Sequence, residues 1–428
     1  MRKTLKSGIF SMGLLLCLNC AMHIPAHAAE DGTDLNLTTL TGDWNGQRQA
    51  WLDQGISLDF THRSDIVRNQ DGGIATGTRW LSYTDARIRL DLNKLAGWEG
   101  WTAYTQYHSE LGGKPNLQKT GSLIGVDNIE VRTNTAQFSA LWLEKSMLDD
   151  RLAMLVGLYA IDSEFYVTDS SGVFLQPAMG MNISVGQTGK NGPPIYPMAS
   201  FGTRLRYKSA DKNTYVQMAL LDGVPGDPAN PRGSHIKFDK GDGVLLMAEA
   251  GHYGEKPGGD EKAINKTAIG MWRYSASFDD LISLDANGKP VQRKNFGWYI
   301  LTERTLLPKA GHPGQGLQGF LRFGTAQKDI NQSDWSVNMG LNYVGLFDGR
   351  GEDQLALGMT YAHASEKYRK LNKADNFESV VEATYKMQIR PWLVIQPVVQ
   401  CVFNPNMDTK LKKSLGAKFE NGSGVLRI

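Results

Sequence analysis

The sequence lacks long apolar segments. No uncharged apolar run in its 428 residues approaches the ~20 residues that a membrane-spanning helix needs. It also lacks an excess of charge of one sign, because 46 lysines and arginines accompany 44 aspartates and glutamates. A nucleic-acid-binding surface would need clustered positive charge, so the composition argues against that class of protein.

The first residues have the pattern of a secretory signal peptide. Residues 1–6 include the basic Arg2, Lys3 and Lys6, residues 8–18 are mostly apolar, and Ala26-His27-Ala28 places small residues where signal peptidase cleaves. We therefore predict a signal peptide over 1–28, with cleavage before Ala29. The mature chain then has 43 basic and 44 acidic residues, so the small positive charge of the precursor disappears.

Cysteine is scarce, with three in the chain. Cys17 and Cys20 leave with the signal peptide, and only Cys401 remains. A single cysteine cannot form an intramolecular disulfide, even in an oxidising compartment. The mature chain must therefore be stabilised by other means.

Motifs that would indicate catalysis are weak. The six mature histidines are scattered, with no pair at metal-ligand spacing. Residues 314–319 match the glycine fingerprint of dinucleotide sites, but they follow Pro313 and lead into a predicted strand rather than into a helix. We predict no enzymatic activity, no metal and no cofactor, and an enzyme or a secreted sugar-binding protein is the alternative class.

A uniform alternation of polar and apolar residues runs through the mature chain, which contains many of the 47 glycines. In residues 85–92, for example, apolar side chains alternate with Asp85, Arg87, Arg89 and Asp91. A strand with arginines on one face and apolar side chains on the other suits a barrel wall between lipid and water. The pattern predicts an all-β, antiparallel transmembrane barrel, with a pair of β-sandwich domains as the alternative.

The number of such segments predicts the size of the barrel. We count sixteen, an even number as expected for a single-chain bacterial barrel, and eighteen remains open. The predicted domains are the signal peptide (1–28), an N-terminal segment with a short helix between Asp43 and Gly55 (29–55), and the barrel (56–428). The strands are predicted to start near residues 56, 79, 101, 137, 151, 200, 214, 243, 266, 296, 317, 335, 354, 379, 392 and 413.

Strand parity assigns the connections. With the N-terminus in the periplasm, connections after odd-numbered strands are external. The longest one, residues 160–199, is the third external loop, and we expect it to fold inward and narrow the pore. The predicted external loops are 68–78, 108–136, 160–199, 222–242, 279–295, 326–334, 363–378 and 403–412.

At this point the chain resembles the carbohydrate-selective porin (OprB) family. Short blocks of residues carry this resemblance. No single block is decisive, but the order and spacing of the blocks together are fairly specific. The residues that carry the resemblance are Gly42-Asp43-Trp44-Asn45-Gly46, Arg48, Gly55, 141–144, 148–152, Ser163-Glu164-Phe165, Tyr196-Pro197, 202–207, Leu221-Asp222-Gly223, 243–249, 378–385, Pro391-Trp392-Leu393, Gln396-Pro397, Gln400 and Asn404-Pro405.

The resemblance implies a sixteen-stranded porin for passive diffusion of glucose and related sugars across the outer membrane of a Gram-negative bacterium. It is consistent with a homotrimer, and a monomer stays open. A general porin, or one for organic acids and other small polar solutes, is the alternative function. One departure is the C-terminal Ile428, where such porins end in an aromatic residue.

Sugar passage calls for aromatic faces and for charged groups that bond hydroxyls. We hypothesise that acids of the third loop face an arginine-rich wall in a constriction with a transverse field. Two alternatives stay open: the arginines merely solvate a wide lumen, and the loop aromatics pack the loop against the wall. The candidates are Asp162, Glu164, Phe165, Tyr166 and Asp169, with Phe174 and Tyr196, on the loop, and Arg63, Arg87, Arg89, Arg204, Arg206, Glu249 and Arg273, with Arg322, on the wall.

Overall fold

The computed structural model describes residues 34–411 and 424–427. The predicted signal peptide, the predicted strand start near 413 and the C-terminal Ile428 lie outside these residues. Seventeen strand segments form one sheet. They are β1 (Ile56–Asn69), β2 (Gly77–Asp91), β3 (Trp101–Gly112), β4 (Ala136–Met147), β5 (Leu152–Tyr159), β6 (Ser200–Lys208), β7 (Thr214–Asp222), β8 (Val244–Tyr253), β9 (Asn265–Leu284), β10 (Pro290–Pro308), β11 (Gly316–Thr325), β12 (Ser333–Val344), β13 (Gln354–Ala364), β14 (Phe377–Arg390), β15 (Leu393–Ile395), β16 (Val398–Phe403) and β17 (Gly424–Arg427).

Each strand pairs antiparallel with its neighbour in the chain from β1 to β14. β15 and β16 pair with the two halves of β14 and so share one position, separated by Gln396-Pro397. β17 pairs with β15 on one side and with β1 on the other, so the series of pairings returns to the first strand. The seventeen segments therefore occupy sixteen positions, and the predicted all-β barrel of sixteen strands is confirmed.

The two faces of the sheet have the polarity of a wall between water and lipid. On β12, Ser336 and Asn338 on the inner face are fully buried, while Met339 and Leu341 on the outer face are 42% and 45% exposed. The same holds on β6, where Arg204 is buried and Leu205 is exposed. Polar residues therefore point into the barrel, and apolar residues form its outer surface.

The connections follow the predicted parity. Those after even-numbered strands are mostly short, such as 148–151 and 209–213, whereas 113–135 and 160–199 follow odd-numbered strands. The prediction of an external loop over 279–295 is wrong, because β9 and β10 extend through it to a turn at 285–289. Strands that project beyond the membrane need no apolar face. This extension therefore lacks the alternation of apolar and polar residues by which the sequence predicts strands.

Aromatic rings line the external end of the outer face. A row of contacts runs from Trp298 through Phe323, Trp335 and Tyr361 to Phe377, with ring centroids 5.0–6.1 Å apart. Such rows mark the membrane interface in barrels. Trp142 and Trp272, in contrast, lie on the inner face.

The helices of the described residues are short: α1 (Leu35–Thr38), α2 (Gln47–Asp53), α3 (Leu92–Ala96), α4 (Ile183–Gly186) and α5 (Glu366–Asn372). None of them, over 34–411 and 424–427, has the length and apolar composition of a membrane-spanning helix. α2 lies where the sequence predicts a helix, and Arg48 on it donates to the carbonyl oxygen of Leu58 on β1. Asp43 accepts a hydrogen bond from the backbone N–H of Gln49.

The outer face gives the first prediction. Leu321 lies midway along β11 and is 48% exposed on that face. Leu321→Arg would place a cation against lipid, at a cost of about 2–4 kcal/mol near the midplane. We expect a lower urea midpoint for unfolding from lipid vesicles, and Leu321→Met should unfold like the wild type. An unchanged midpoint for Leu321→Arg would contradict the assignment of this face to lipid.

Candidate functional site

The third external loop, residues 160–199, folds into the barrel and packs on its inner face. The ring of Tyr166 stacks on that of Tyr299 in β10 at 4.0 Å, and Phe174 contacts Phe320 in β11 edge to face at 5.9 Å. Phe165, Tyr166 and Phe174 are at most 2% exposed. In this arrangement these rings pack the loop against the wall, and a solute cannot reach their faces.

A buried glutamate of the wall holds the start of this packed segment. The carboxylate of Glu249 in β8 accepts the backbone N–H of Tyr166 at 2.8 Å. It also accepts the hydroxyls of Tyr215 and Tyr299, both at 2.7 Å, and the amide of Gln217 at 3.1 Å. Glu249 is thus fully occupied as an anchor and is 3% exposed.

Two further wall glutamates repeat this arrangement along the loop. Glu303 in β10 accepts the backbone N–H of Ser170 at 3.0 Å and its hydroxyl at 2.9 Å. Glu382 in β14 accepts the backbone N–H groups of Leu175 at 2.7 Å and Gln176 at 3.0 Å. Hydrogen bonds to a charged acceptor are stronger than neutral ones, so these carboxylates fix the loop backbone firmly.

Arg322 in β11 supplies hydrogen-bond donors to the same loop. Its guanidinium donates to the carbonyl oxygens of Tyr166 (3.1 Å), Ala178 (2.9 Å), Met179 (2.7 Å) and Gly180 (3.1 Å). Five N–H donors in a fixed plane suit a guanidinium for gathering several carbonyls of one loop. Arg322 is fully buried, so it acts as an anchor for the loop and not as a surface for solutes.

Glycines on the inner wall leave room for the loop. A Cβ added to Gly358 of β13 would lie 2.6 Å from the ring of Phe174. One added to Gly324 of β11 would lie 2.7 Å from the hydroxyl of Tyr166. These glycines are required by the close approach of the loop and not by a turn.

The second external loop, residues 113–135, also enters the barrel, which the sequence did not predict. Glu378 in β14 accepts the hydroxyl of Ser122 and the backbone N–H groups of Leu123 (2.9 Å) and Ile124 (3.1 Å). Arg63 lies beside this loop and pairs with Asp65 at 2.9 Å. It is 1% exposed, so the structure places it in the packed part of the lumen.

The third loop also brings an acid to the arginines of β6. Glu164 accepts from Arg204 at 2.5 and 2.8 Å, and Arg206 lies 3.2 Å away. Arg204 also contacts Glu144 of β4 at 2.5 Å. Burial would raise the pKa of Glu164, but the two guanidinium groups outweigh burial and lower it. A loop acid therefore pairs directly with two wall arginines here.

The strands on this side of the barrel keep charged side chains partly exposed. Arg87 of β2 pairs with Asp85 at 2.5 Å and is 20% exposed, and Arg89 next to it on the same face is also partly exposed. The loop therefore covers the wall formed by β8–β14 and leaves part of the wall formed by β2–β6 uncovered. We call these partly exposed groups the open arc, which comprises Arg87, Arg89, Glu144 and Arg206 of the wall and Glu164 of the loop.

Three other candidates lie elsewhere. Arg273 is exposed on the outer face with Ile269 and Met271, so its expected position in the lumen is wrong: it is out of phase with the inward residues of β9. Asp162 accepts the backbone N–H of Tyr196 at 3.0 Å, and burial raises its pKa to about 6. Asp169 is exposed at the start of a short 3-10 turn.

Sequence reasoning did not identify the anchoring glutamates Glu303, Glu378 and Glu382. A single signal was available, which is a glutamate at an inward position of a strand with apolar outward neighbours. Tyr104 was also missed; it faces the lumen opposite Trp142 in the strand register. Within the residues that the structure describes, no three histidine, cysteine or acidic side chains group as metal ligands.

Comparisons with known proteins agree with this architecture. Residues 77–416 match the carbohydrate-selective porin, OprB family. Porin B from Pseudomonas aeruginosa is 23% identical over 434 residues, which cover 93% of this chain and 92% of the relative. The solved high-pH structure of Pseudomonas putida OprB has a TM-score of 0.82 at 19% identity, covering 92% of this chain and 99% of that one. The low-pH structure of the same protein has a TM-score of 0.58 at 17% identity, covering 92% and 98%.

The inner-wall glycines give the second prediction. Gly358→Leu adds a side chain where Phe174 now packs, so it should push the third loop off the wall and raise single-channel conductance in planar bilayers. Gly319→Leu is the matched control, because it adds the same side chain to the same sheet on the outer face. Both variants should keep heat-modifiable gel migration. Equal conductances would show that the loop does not set the width of the path.

Proposed function

The chain belongs to the carbohydrate-selective porin (OprB) family, and from this premise we propose that glucose and related sugars cross it by passive diffusion along the open arc. The protein is a sugar porin of the outer membrane of a Gram-negative bacterium. The proposal for the path rests on one observation. The third loop packs against β8–β14, and the side chains that water still reaches on β2–β6 carry both charges.

The chemistry of the open arc suits a neutral polyol. A sugar hydroxyl both donates and accepts hydrogen bonds, so it can bond a guanidinium and a carboxylate in turn. Arg206 and Glu164 already compensate each other at 3.2 Å. A neutral solute can bond to such a pair without separating it, whereas an ion would compete with one partner for the other. The proposed constriction is thus bordered by the pair of Glu164 and Arg206, and Arg204 holds Glu164 from its buried side.

The proposal extends to chemistry and assembly. We propose that the lumen carries out no reaction, since Glu249, Glu303, Glu382 and Arg322 are occupied in holding loop backbone. For the assembly, we propose a homotrimer, and a monomer is the alternative. Multi-angle light scattering of the detergent-purified protein separates the two.

The third prediction separates sugars from organic acids. Liposomes containing the purified protein should swell faster in glucose than in gluconate, a carboxylate of similar size. They contain no energy source, so swelling also tests passive diffusion. The excess of arginine in the open arc supports the alternative of an organic-acid or general porin. Equal or faster swelling in gluconate would favour that alternative.

The fourth prediction concerns the proposed constriction. The double variant Arg87→Ala/Arg204→Ala removes one guanidinium of the open arc and the main partner of Glu164. The loss of a charge-assisted hydrogen bond to the sugar, about 1.5–3 kcal/mol, should weaken glucose block of single-channel current by roughly tenfold or more. Arg273→Ala, on the outer face, is the control and should behave like the wild type. Block that is unchanged in the double variant would rule out this constriction.

A further inference from the structure

We infer that Tyr104 and Trp142 form a platform in the lumen that binds the apolar face of a pyranose ring. The inference rests on the proposed function and names the surface that would give it sugar specificity. Tyr104 in β3 and Trp142 in β4 are direct partners in the strand register. Their ring centroids are 5.0 Å apart with an interplanar angle of 24°, so the two rings stack on each other, and the platform is formed by the parts of both rings that the stack leaves open.

Both rings face the lumen. Gln106 lies two residues from Tyr104 on the same face, and its amide donates to Asp85 at 3.1 Å and to the hydroxyl of Tyr83 at 3.1 Å. Trp142 shares this face through its pairing with Tyr104. It packs against the edge of the cluster that contains Leu155 and Tyr159 on the inner wall. The platform is therefore part of the wall beside the loop.

The platform differs from most other rings of the lumen in being partly exposed. Phe165, Tyr166, Phe174, Trp272 and Tyr299 are all at most 2% exposed beneath or within the third loop. Tyr104 and Trp142 keep intermediate exposure, because they lie outside the area that the loop covers. A solute passing the constriction can reach these two rings and cannot reach the buried ones.

Polar groups border the platform on both sides. Arg89 of β2 is the register partner of Tyr104, so its guanidinium flanks one ring. Glu144 lies two residues beyond Trp142 on the same face and is 20% exposed. A pyranose has one apolar face of C–H groups and a rim of hydroxyls. An aromatic surface with a donor at one edge and an acceptor at the other matches both features.

The ligand class follows from this geometry. A cyclic monosaccharide presents a flat C–H face to the rings, whereas an open-chain polyol of the same size does not. The platform should therefore distinguish glucose from sorbitol, although both are neutral and carry similar hydroxyls. The charged groups of the open arc alone would not separate these two solutes.

The experiment measures solute block of single-channel current in planar bilayers, with the full-length processed protein. Trp142→Ala should raise the half-blocking concentration of glucose by about two- to tenfold and leave that of sorbitol unchanged. Trp142→Phe, which keeps a ring, should restore most of the glucose block. Trp298→Ala is the matched control, because it removes a tryptophan from the outer face. Tyr104→Leu tests the platform independently should Trp142→Ala fail to give heat-modifiable barrels.

The outcomes separate the platform from the function. If glucose neither blocks nor permeates the wild-type channel, the proposed function fails. If glucose blocks the Trp142→Ala channel as well as it blocks the wild-type channel, the platform alone is overturned. An equal loss of glucose and sorbitol block would also overturn it, since that result indicates a general change in pore width.

Discussion

The backbone of a loop that folds into a barrel must find hydrogen-bond partners there, and the rest of this structure depends on how the wall supplies them. Glu249, Glu303 and Glu382 accept N–H groups of the third loop, and Arg322 donates to four of its carbonyls. An unpaired backbone group inside the barrel would cost free energy comparable to a lost hydrogen bond. Charged side chains on β8, β10, β11 and β14 offset this cost with hydrogen-bond acceptors and donors placed at fixed positions. The loop is therefore held by the wall rather than by its own secondary structure, which consists only of single turns.

Anchoring on one side makes the lumen asymmetric. Strands β8–β14 meet the loop with buried tyrosines, glutamates and glycines, and their inner face is packed like a protein core. The opposite strands keep Arg87, Arg89, Glu144 and Arg206 partly exposed. Glu164 connects the two halves, because it belongs to the loop and pairs with β6. The water path is thus bordered by a rigid loop on one side and by paired charges on the other.

The sequence predicts the faces of the strands better than the depth at which each side chain lies. Alternation places Arg63, Arg87 and Arg204 inward, since the period of two is imposed by every strand. Alternation cannot tell that Arg63 is buried beside Asp65 while Arg87 keeps contact with water, because depth depends on where the second and third loops pack. Those loops have no periodicity of their own, so the sequence indicates the inward position of Glu303, Glu378 and Glu382 but not that these glutamates anchor the loops. Arg273 faces outward instead of into the lumen, and alternation does not reveal this because β9 mixes apolar and polar residues on both faces.

Inward arginines in this barrel have three different environments, and the differences bear on selectivity. Arg322 is bonded only to backbone carbonyls among its described hydrogen bonds, and Arg204 to two carboxylates and a carbonyl. Both are almost fully buried, so their charges hold structure and contribute little to solute contact. Arg89 and Arg206 retain exposure, and Arg206 shares Glu164 with Arg204. An anion entering the path meets guanidinium groups whose charge is partly compensated by carboxylates. A cation meets carboxylates whose charge is partly compensated by guanidinium groups. Such a surface favours solutes that offer many weak dipoles over solutes that offer one full charge, and a sugar is a solute of the first kind.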